Sequence, residues 1–403
     1  MQRRVVITSI GVVSPLGFTP EQIIDNLKKE NVCFERSPVD HEVITCPIKH
    51  FEVKTITVRF KDARYLNRGA GFAAASAMGA VKESGLDKET LTQAGLFVGT
   101  GPNLNISGEF ARIRDGKMYE TGLAALWILK FLPNTAASAI ARLAGIHGEN
   151  ATIGTACSAS LQAVGEAFRK IKTGYLDLAF AGGGDSRLSH GGILAYKKAR
   201  ALFMGDGDPE KAYAPFDKQR QGFVPGEGGA FFLLESLEHA QSRKAKIYGE
   251  VCGFGNSIDG YNMTAPDPDG KWGEKAIRGA LKEAGLLPDQ IDAISAHGTG
   301  TPLNDAMEAS LIDRIYGEHK PWVIAMKSWI GHIASACGAV ELAICLTCLK
   351  NNYLPAIRNL KEPCHEKINF VQTTTDACPG TMMMENFGFG GQNSALVIKK
   401  WIK

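Results

Sequence analysis

Seven short apolar runs, separated by longer stretches of helical spacing, constrain this chain more than any other feature. The runs occupy residues 5–10, 95–98, 176–181, 230–235, 291–295, 322–325 and 395–398, each the length of a strand. Strands alternating with helices of ten or more residues indicate an α/β fold, expected here to be largely parallel. After Cys157, the residues Leu161, Val164, Ala167, Phe168 and Ile171 recur at three- and four-residue spacing, and Gly174 supplies a stop, which predicts a helix with the cysteine in its first turn. A second apolar helix is predicted over 330–349, preceded by a strand and by Lys327-Ser328. Both halves thus share an order of strand, reactive residue and buried helix. A chain of 403 residues exceeds a single core of the usual ~100–200 residues. The charged stretch Arg243-Lys244-Ala245-Lys246 marks the seam of this faint duplication, giving units of 1–245 and 246–403. Glycine clusters at 182–184, 226–229 and 388–391 suggest backbone packed closely around a site.

Several classes of function are disfavoured. Lys plus Arg number 45 against 42 for Asp plus Glu, a net charge of +3, without the basic excess that nucleic acid calls for. Nine cysteines are scattered without a dense framework, which reads as reduced thiols in the cytoplasm. Arg3-Arg4 precede an apolar run, but Thr8, Ser9 and Gly11 interrupt it and Ser14-Pro15 ends it, so it is a first strand rather than a signal peptide. No uninterrupted apolar stretch reaches the ~20 residues needed to cross a bilayer, and membrane insertion is not expected. Cys345 and Cys348 have C-x-x-C spacing inside an apolar helix with no second pair, so they are core and no metal site is expected. The glycines at 182–184 lack the order and the lysine of a phosphate-binding loop.

Four segments carry chemistry. Gly154-Thr155-Ala156-Cys157-Ser158-Ala159-Ser160 sets a thiol where a strand turns into a helix among small neighbours. A helix start favours thiolate and is expected to lower the thiol pKa from ~8.5. Ala296-His297-Gly298-Thr299-Gly300-Thr301-Pro302 follows a strand; its imidazole can offer a ring N–H to a developing oxyanion and its hydroxyls can meet a polar substrate arm. Lys327-Ser328-Trp329-Ile330-Gly331-His332 and the hinge Asn386-Phe387-Gly388-Phe389-Gly390-Gly391 complete the set. Each alone has an ordinary structural explanation: an inert buried cysteine, a histidine held by backbone groups, a tight turn.

In this order and spacing, from Val5-Val6-Ile7-Thr8 to Phe387-Gly388-Phe389-Gly390-Gly391, the chain resembles the β-ketoacyl-acyl-carrier-protein synthases, particularly the type II elongating enzymes of the thiolase-like superfamily. The resemblance implies a duplicated α/β fold in a layered α-β-α-β-α arrangement, a homodimer, and no bound cofactor. The implied reaction is decarboxylative Claisen condensation of malonyl-carrier protein with an acyl group on Cys157, in fatty acid, polyketide or polyene chain elongation. An acyl carrier protein supplies both thioesters on its 4'-phosphopantetheine arm.

By the same resemblance, His297 and His332 donate to the malonyl thioester oxygen, and the backbone N–H groups of Cys157 and Phe389 form an oxyanion hole. Lys327 and Glu308 form a charged pair, Phe389 gates the nucleophile, and Thr299, Thr301, Phe387 and Gly390 contact substrate. Lys61, Arg64, Arg68 and Arg200, with Arg59, Lys197 and Lys198, dock the acidic carrier. The chain departs from the family pattern at Tyr65, Trp329, Ser335 and Gln392, and over residues 119–134 with Leu123, Leu126, Trp127, Ile128 and Phe131; these positions bear on carrier docking, the acyl tunnel and the dimer edge. Rival readings are a thiolase or chalcone-synthase-like enzyme on coenzyme A thioesters, a non-catalytic chain-length partner subunit of a ketosynthase heterodimer, and a cysteine hydrolase. The first typically replaces one histidine and the second usually lacks the nucleophile, whereas this chain keeps both.

Overall fold

The computed structural model describes residues 3–53, 60–105, 112–119 and 125–402. The first half runs β1 (Val5–Val13), α1 (Pro20–Lys28), β2 (Glu35–Arg36), β3 (Ile44–Thr45), α2 (Arg68–Ser84), α3 (Lys88–Gln93), β4 (Gly95–Gly99), β5 (Arg112–Arg114), β6 (Lys117–Tyr119), α4 (Thr135–Ala144), β7 (Asn150–Ile153), α5 (Ala159–Lys172), β8 (Leu178–Ser186), α6 (His190–Lys198), β9 (Glu227–Ser236) and α7 (Leu237–Ser242). The second runs β10 (Gly249–Ile258), α8 (Lys271–Ala284), β11 (Ala293–Ser295), α9 (Pro302–Tyr316), β12 (Trp322–Ile324), α10 (Lys327–Ile330), α11 (Cys337–Asn351), β13 (Thr381–Gly388) and β14 (Gln392–Lys400).

Ten strands form one sheet in the order β12-β11-β13-β14-β10-β1-β9-β8-β4-β7. Numbered within its own half, each five-strand arm has the order first, fifth, fourth, second, third. The arms join where Val5–Ile7 pairs antiparallel with Gly249–Val251. Within this sheet, among the described residues, five pairings are antiparallel and four are parallel. The largely parallel sheet expected from the sequence is therefore corrected to a mixed one. The last strand of each arm runs back between two neighbours; between β13 and β14 a short turn enforces this, since a parallel pair would need a crossover.

Five layers result. Helices α2 and α4 pack on the outside of the first arm, and α8 and α9 cover the second. Between the arms lie α5 and α11, whose apolar side chains share the largest core cluster with strands from both arms. The outer contacts repeat too. A Cβ on Gly11 would fall 1.8 Å from the Ser76 oxygen, and one on Gly255 would fall 1.9 Å from the Ala276 oxygen, so only glycine lets each first strand meet its helix.

The entries to α5 and α11 match as well. Ala156 at φ 49° and Ala334 at φ 44° each open a 3₁₀ turn, Ala156–Ser158 and Ala334–Ala336. Left-handed backbone at alanine is strained and persists only where its surroundings impose it. Cys157 lies in the first of these turns, which leads directly into α5 at Ala159. The helix expected over 330–349 is corrected to two, α10 and α11, broken at Gly331 with φ 71°. The stretch Ala334–Asn351 is long and apolar enough to cross a membrane by composition, but it is 89% buried as a core helix.

Candidate active site

Cys157 follows β7, His297 follows β11, and His332 follows the short helix α10 that comes after β12, so two strand ends and one helix end deliver the three groups. The Cys157 sulfur and one ring nitrogen from each histidine lie within 4.8 Å of one another. They line a cavity of about 70 Å³ shared with Thr299, Thr301, Phe387, Gly388 and Phe389. Gly388 brings the end of β13 against the nucleophile, since a Cβ there would sit 2.9 Å from the Thr155 oxygen and 3.0 Å from the Cys157 nitrogen. Gly390 and Gly391, at φ 80° and 72°, turn the chain around Phe389, whose ring is exposed.

The hydrogen bonds define which nitrogen of His332 holds the proton. The Ala334 N–H donates to His332 Nδ1 at 3.0 Å, and the Cys337 sulfur lies 3.6 Å from the same atom. The Asn386 amide nitrogen faces His297 Nδ1 at 3.4 Å. With its Nδ1 accepting, neutral His332 carries its proton on Nε2, while the two N–H groups of the Asn386 amide go to Glu341 at 3.0 Å and the Glu385 carbonyl at 2.9 Å. Burial, and then the nearby Lys327 charge, depress both histidines, His332 to about 3 and His297 well below its usual value. Two uncharged donors therefore stand beside the thiol at neutral pH.

Burial pushes the Cys157 thiol up to about 11, against the pull of the Lys327 charge and a backbone N–H from Phe389. This corrects the expected lowered pKa: at the start of α5 loss of water outweighs the helix dipole, and the resting residue is a thiol.

Lys327 donates to Glu341 Oε1 at 2.6 Å, with both side chains fully enclosed. The expected Lys327–Glu308 pair is thus corrected to Lys327–Glu341. Glu308 sits on α9 and instead accepts from the His297 N–H at 2.5 Å, the Gly298 N–H at 2.8 Å and Asn304 Nδ2 at 3.1 Å. Burial raises its carboxyl to about 8. Glu308 therefore fixes the loop carrying His297. Glu341 also accepts from Asn386 Nδ2 at 3.0 Å, so one carboxylate ties Lys327 to the residue facing His297. Sequence reasoning missed Glu341 and Asn386. The signal for Glu341 was a lone acid in an apolar helix, which requires a buried cation.

Thr299 and Thr301 share a hydrogen bond of 2.8 Å at the cavity wall. Of the residues expected to dock a carrier, Lys61, Arg64 and Arg200 are exposed. Arg68 is half-exposed, with Nε and Nη2 bonded to buried Glu227 at 2.6 and 2.5 Å and to the Ile48 carbonyl. Lys197 is held by Asp40 and Glu42, and Tyr65 is buried. Arg59 and Leu123 lie outside the described residues. Trp329 does not shape the pocket; it is buried in the core and donates to the Ala356 carbonyl at 2.8 Å. Ser335, the counterpart of Cys157 in the repeated turn, donates from Oγ to Asp185 Oδ2 at 2.7 Å.

A duplicated five-layer fold with a buried thiol and two neutral imidazoles at its strand ends defines a condensing enzyme, one that forms carbon–carbon bonds on thioesters. Residues 2–240 match the model of the β-ketoacyl synthase N-terminal domain, and residues 248–361 match that of the β-ketoacyl synthase C-terminal domain. The chain belongs to the β-ketoacyl synthase family and is an acyltransferase of the condensing class. It is 33% identical to 3-oxoacyl-[acyl-carrier-protein] synthase 2 of Vibrio cholerae, over 99% of both chains. Among solved structures, a β-ketoacyl synthase from Burkholderia phymatum superposes with a TM-score of 0.89 at 27% identity, covering 100% of both chains. A type II polyketide ketosynthase in complex with its acyl-carrier protein, bound to a hexaketide, gives 0.85 at 25% identity, again over 100% of both chains.

Proposed function

We propose that this enzyme is a 3-oxoacyl-[acyl-carrier-protein] synthase of fatty acid, polyketide or polyene chain elongation. The observation that carries this reading is the meeting of the Cys157 thiol with two neutral imidazoles in one cavity, His332 with its Nδ1 already accepting. Cys157 attacks an acyl thioester; its S–C bond forms, the carrier's S–C bond breaks, and the thiol proton leaves with the carrier's pantetheine sulfur. The acyl oxyanion rests between the backbone N–H groups of Cys157 and Phe389. A malonyl thioester then loses carbon dioxide, and the released electron pair moves onto the thioester oxygen, where His297 and His332 donate from Nε2. Fixed neutral donors stabilise this charge without transferring a proton. The enolate carbon attacks the acyl-cysteine carbonyl, the new carbon–carbon bond forms, and the Cys157 sulfur leaves and regains a proton from water.

Thr299, Thr301, Phe387 and Gly390 would hold the pantetheine arm, and Phe389, set between glycines, would swing to admit the second substrate. The partner is an acyl carrier protein, docking on Lys61, Arg64 and Arg200; the polyketide ketosynthase complexed with its carrier supports this. Exposed Leu126, Ile128 and Leu132, together with the open edge of β7, support a second copy as dimer partner, and the scattered cysteines support a cytoplasmic setting. A purely chain-length-setting role would leave Cys157 without a task.

The test measures carbon dioxide release and product mass with malonyl- and acyl-carrier proteins. Cys157→Ala should abolish product while malonyl decarboxylation continues. His332→Ala should slow decarboxylation by about 10²–10³-fold while Cys157 still takes up an acyl group. Wild-type protein that releases no carbon dioxide, or that makes only free acid by hydrolysis, would refute the synthase.

A further inference from the structure

His332 is held at two levels. Its backbone pairs with the first half of the chain: the His332 N–H donates to the Val224 carbonyl at 2.7 Å, and the Gly226 N–H donates to the His332 carbonyl at 3.0 Å. Neither bond sets the direction of the ring. Direction comes from the Ala334 N–H, which meets Nδ1 at 3.0 Å, and Ala334 sits at φ 44°, strained backbone that its surroundings must impose.

The restraint acts on the next residue. Ser335 donates twice to Asp185 Oδ2, from its N–H at 3.1 Å and from its hydroxyl at 2.7 Å. Asp185 lies on β8, in the other arm of the sheet, and is itself fixed. Its Oδ1 accepts from the Ser186 N–H and its Oδ2 from Arg187 Nη2, both at 2.8 Å, while Arg187 also donates to the Pro102 carbonyl. Asp185, Arg187 and Ser335 are all buried, so water does not compete for these bonds. We propose that Asp185 is a positioning residue for decarboxylation, acting through Ser335 to keep the Ala334 N–H on Nδ1 and the Nε2–H of His332 aimed at the thioester oxygen. This inference rests on the synthase reading above and adds to it a residue that does not line the Cys157 cavity.

The chemistry of the ring gives the turn its importance. Were the turn Ala334–Ala336 to relax, the Ala334 N–H would leave Nδ1. The proton of the neutral ring would then be free to sit on either nitrogen, and fewer molecules would present a donor at Nε2. A donor that drifts also loses the preorganisation on which stabilisation of a developing charge depends. Acyl uptake has no such dependence. Cys157 stands on its own turn, Ala156–Ser158, and its attack on the first thioester draws on backbone N–H groups rather than on His332. The hydroxyl contact belongs to this chain in particular, since Ser335 is one of its departures from the family pattern.

The experiment compares two rates on each preparation: acylation of Cys157 by an acyl-carrier protein, followed by intact mass, and carbon dioxide release from malonyl-carrier protein. Ser335→Ala keeps the N–H bond but loses the hydroxyl bond to a charged acceptor, and should slow decarboxylation about tenfold while acylation stays within about twofold of wild type. Asp185→Asn, with one acceptor oxygen where the carboxylate has two, should slow decarboxylation at least as much. A merely structural contact would lower both rates by the same factor, because misfolded molecules lose both activities. Equal slowing of the two rates, loss of both, or decarboxylation at the wild-type rate in these variants would overturn the positioning role. Wild-type protein that takes up an acyl group but releases no carbon dioxide would instead overturn the synthase reading beneath it.

Discussion

At the scale of single residues, the site works by keeping groups uncharged until they are needed. With burial holding the Cys157 thiol near 11, iodoacetamide labelling of that cysteine should climb with pH and reach no plateau below pH 9. Peptide mass spectrometry separates it from exposed Cys378, and a plateau near pH 7 would show a resting thiolate. Glu385 offers a second test. Neither of its buried carboxyl oxygens has a hydrogen-bond partner among the described residues, and burial, with Glu308 adding to it, raises its pKa well above the usual carboxylate value. The folded chain then binds more protons than the unfolded chain above the unfolded pKa of ~4.3, so Glu385 lowers stability as pH rises, by at most ~1.4 kcal/mol per pH unit. Glu385→Gln should remove that slope; urea unfolding at pH 5.5 and 8.5 should show the variant gaining on the wild type by roughly 1 kcal/mol or more. Cys157, His297 and His332 were legible because small residues and strand ends frame them. The partner of Lys327 was not, because spacing along a chain does not say which of several acids, Glu308 or Glu341, faces a buried cation.

At the scale of elements, α5 and α11 meet where neither can carry a larger side chain. A Cβ on Gly338 would land 2.5 Å from the Leu161 Cβ and 2.4 Å from the Asn386 side-chain oxygen. Gly338→Ala should therefore cost about 1–3 kcal/mol through overpacking, read as a lower urea midpoint. An unchanged midpoint would mean that the helices can part at no cost. The sequence showed α5 through its regular apolar spacing, but it hid the break before α11, since residues 333–336 are small or apolar and the periodicity runs through them. Strand β13 escaped for another reason: after Thr381 it is a methionine run without β-branched residues.

At the scale of the molecule, the repeated strand order and the paired alanine turns support our proposal of two units, 1–245 and 246–403. They do not make two independent bodies. The sheet runs unbroken through β1 and β10, and α5 and α11 belong to one core. Severing the backbone between residues 245 and 246 would expose a raw row of peptide groups on each fragment, beside an uncovered oily face. Each fragment made alone should precipitate or self-associate. Made together they should recover a particle of the parent size that releases carbon dioxide, as gel filtration and a turnover assay would show. The join between the arms thus turns a repeat of one design into an obligate partnership, in which neither copy can be spared or inherited without the other.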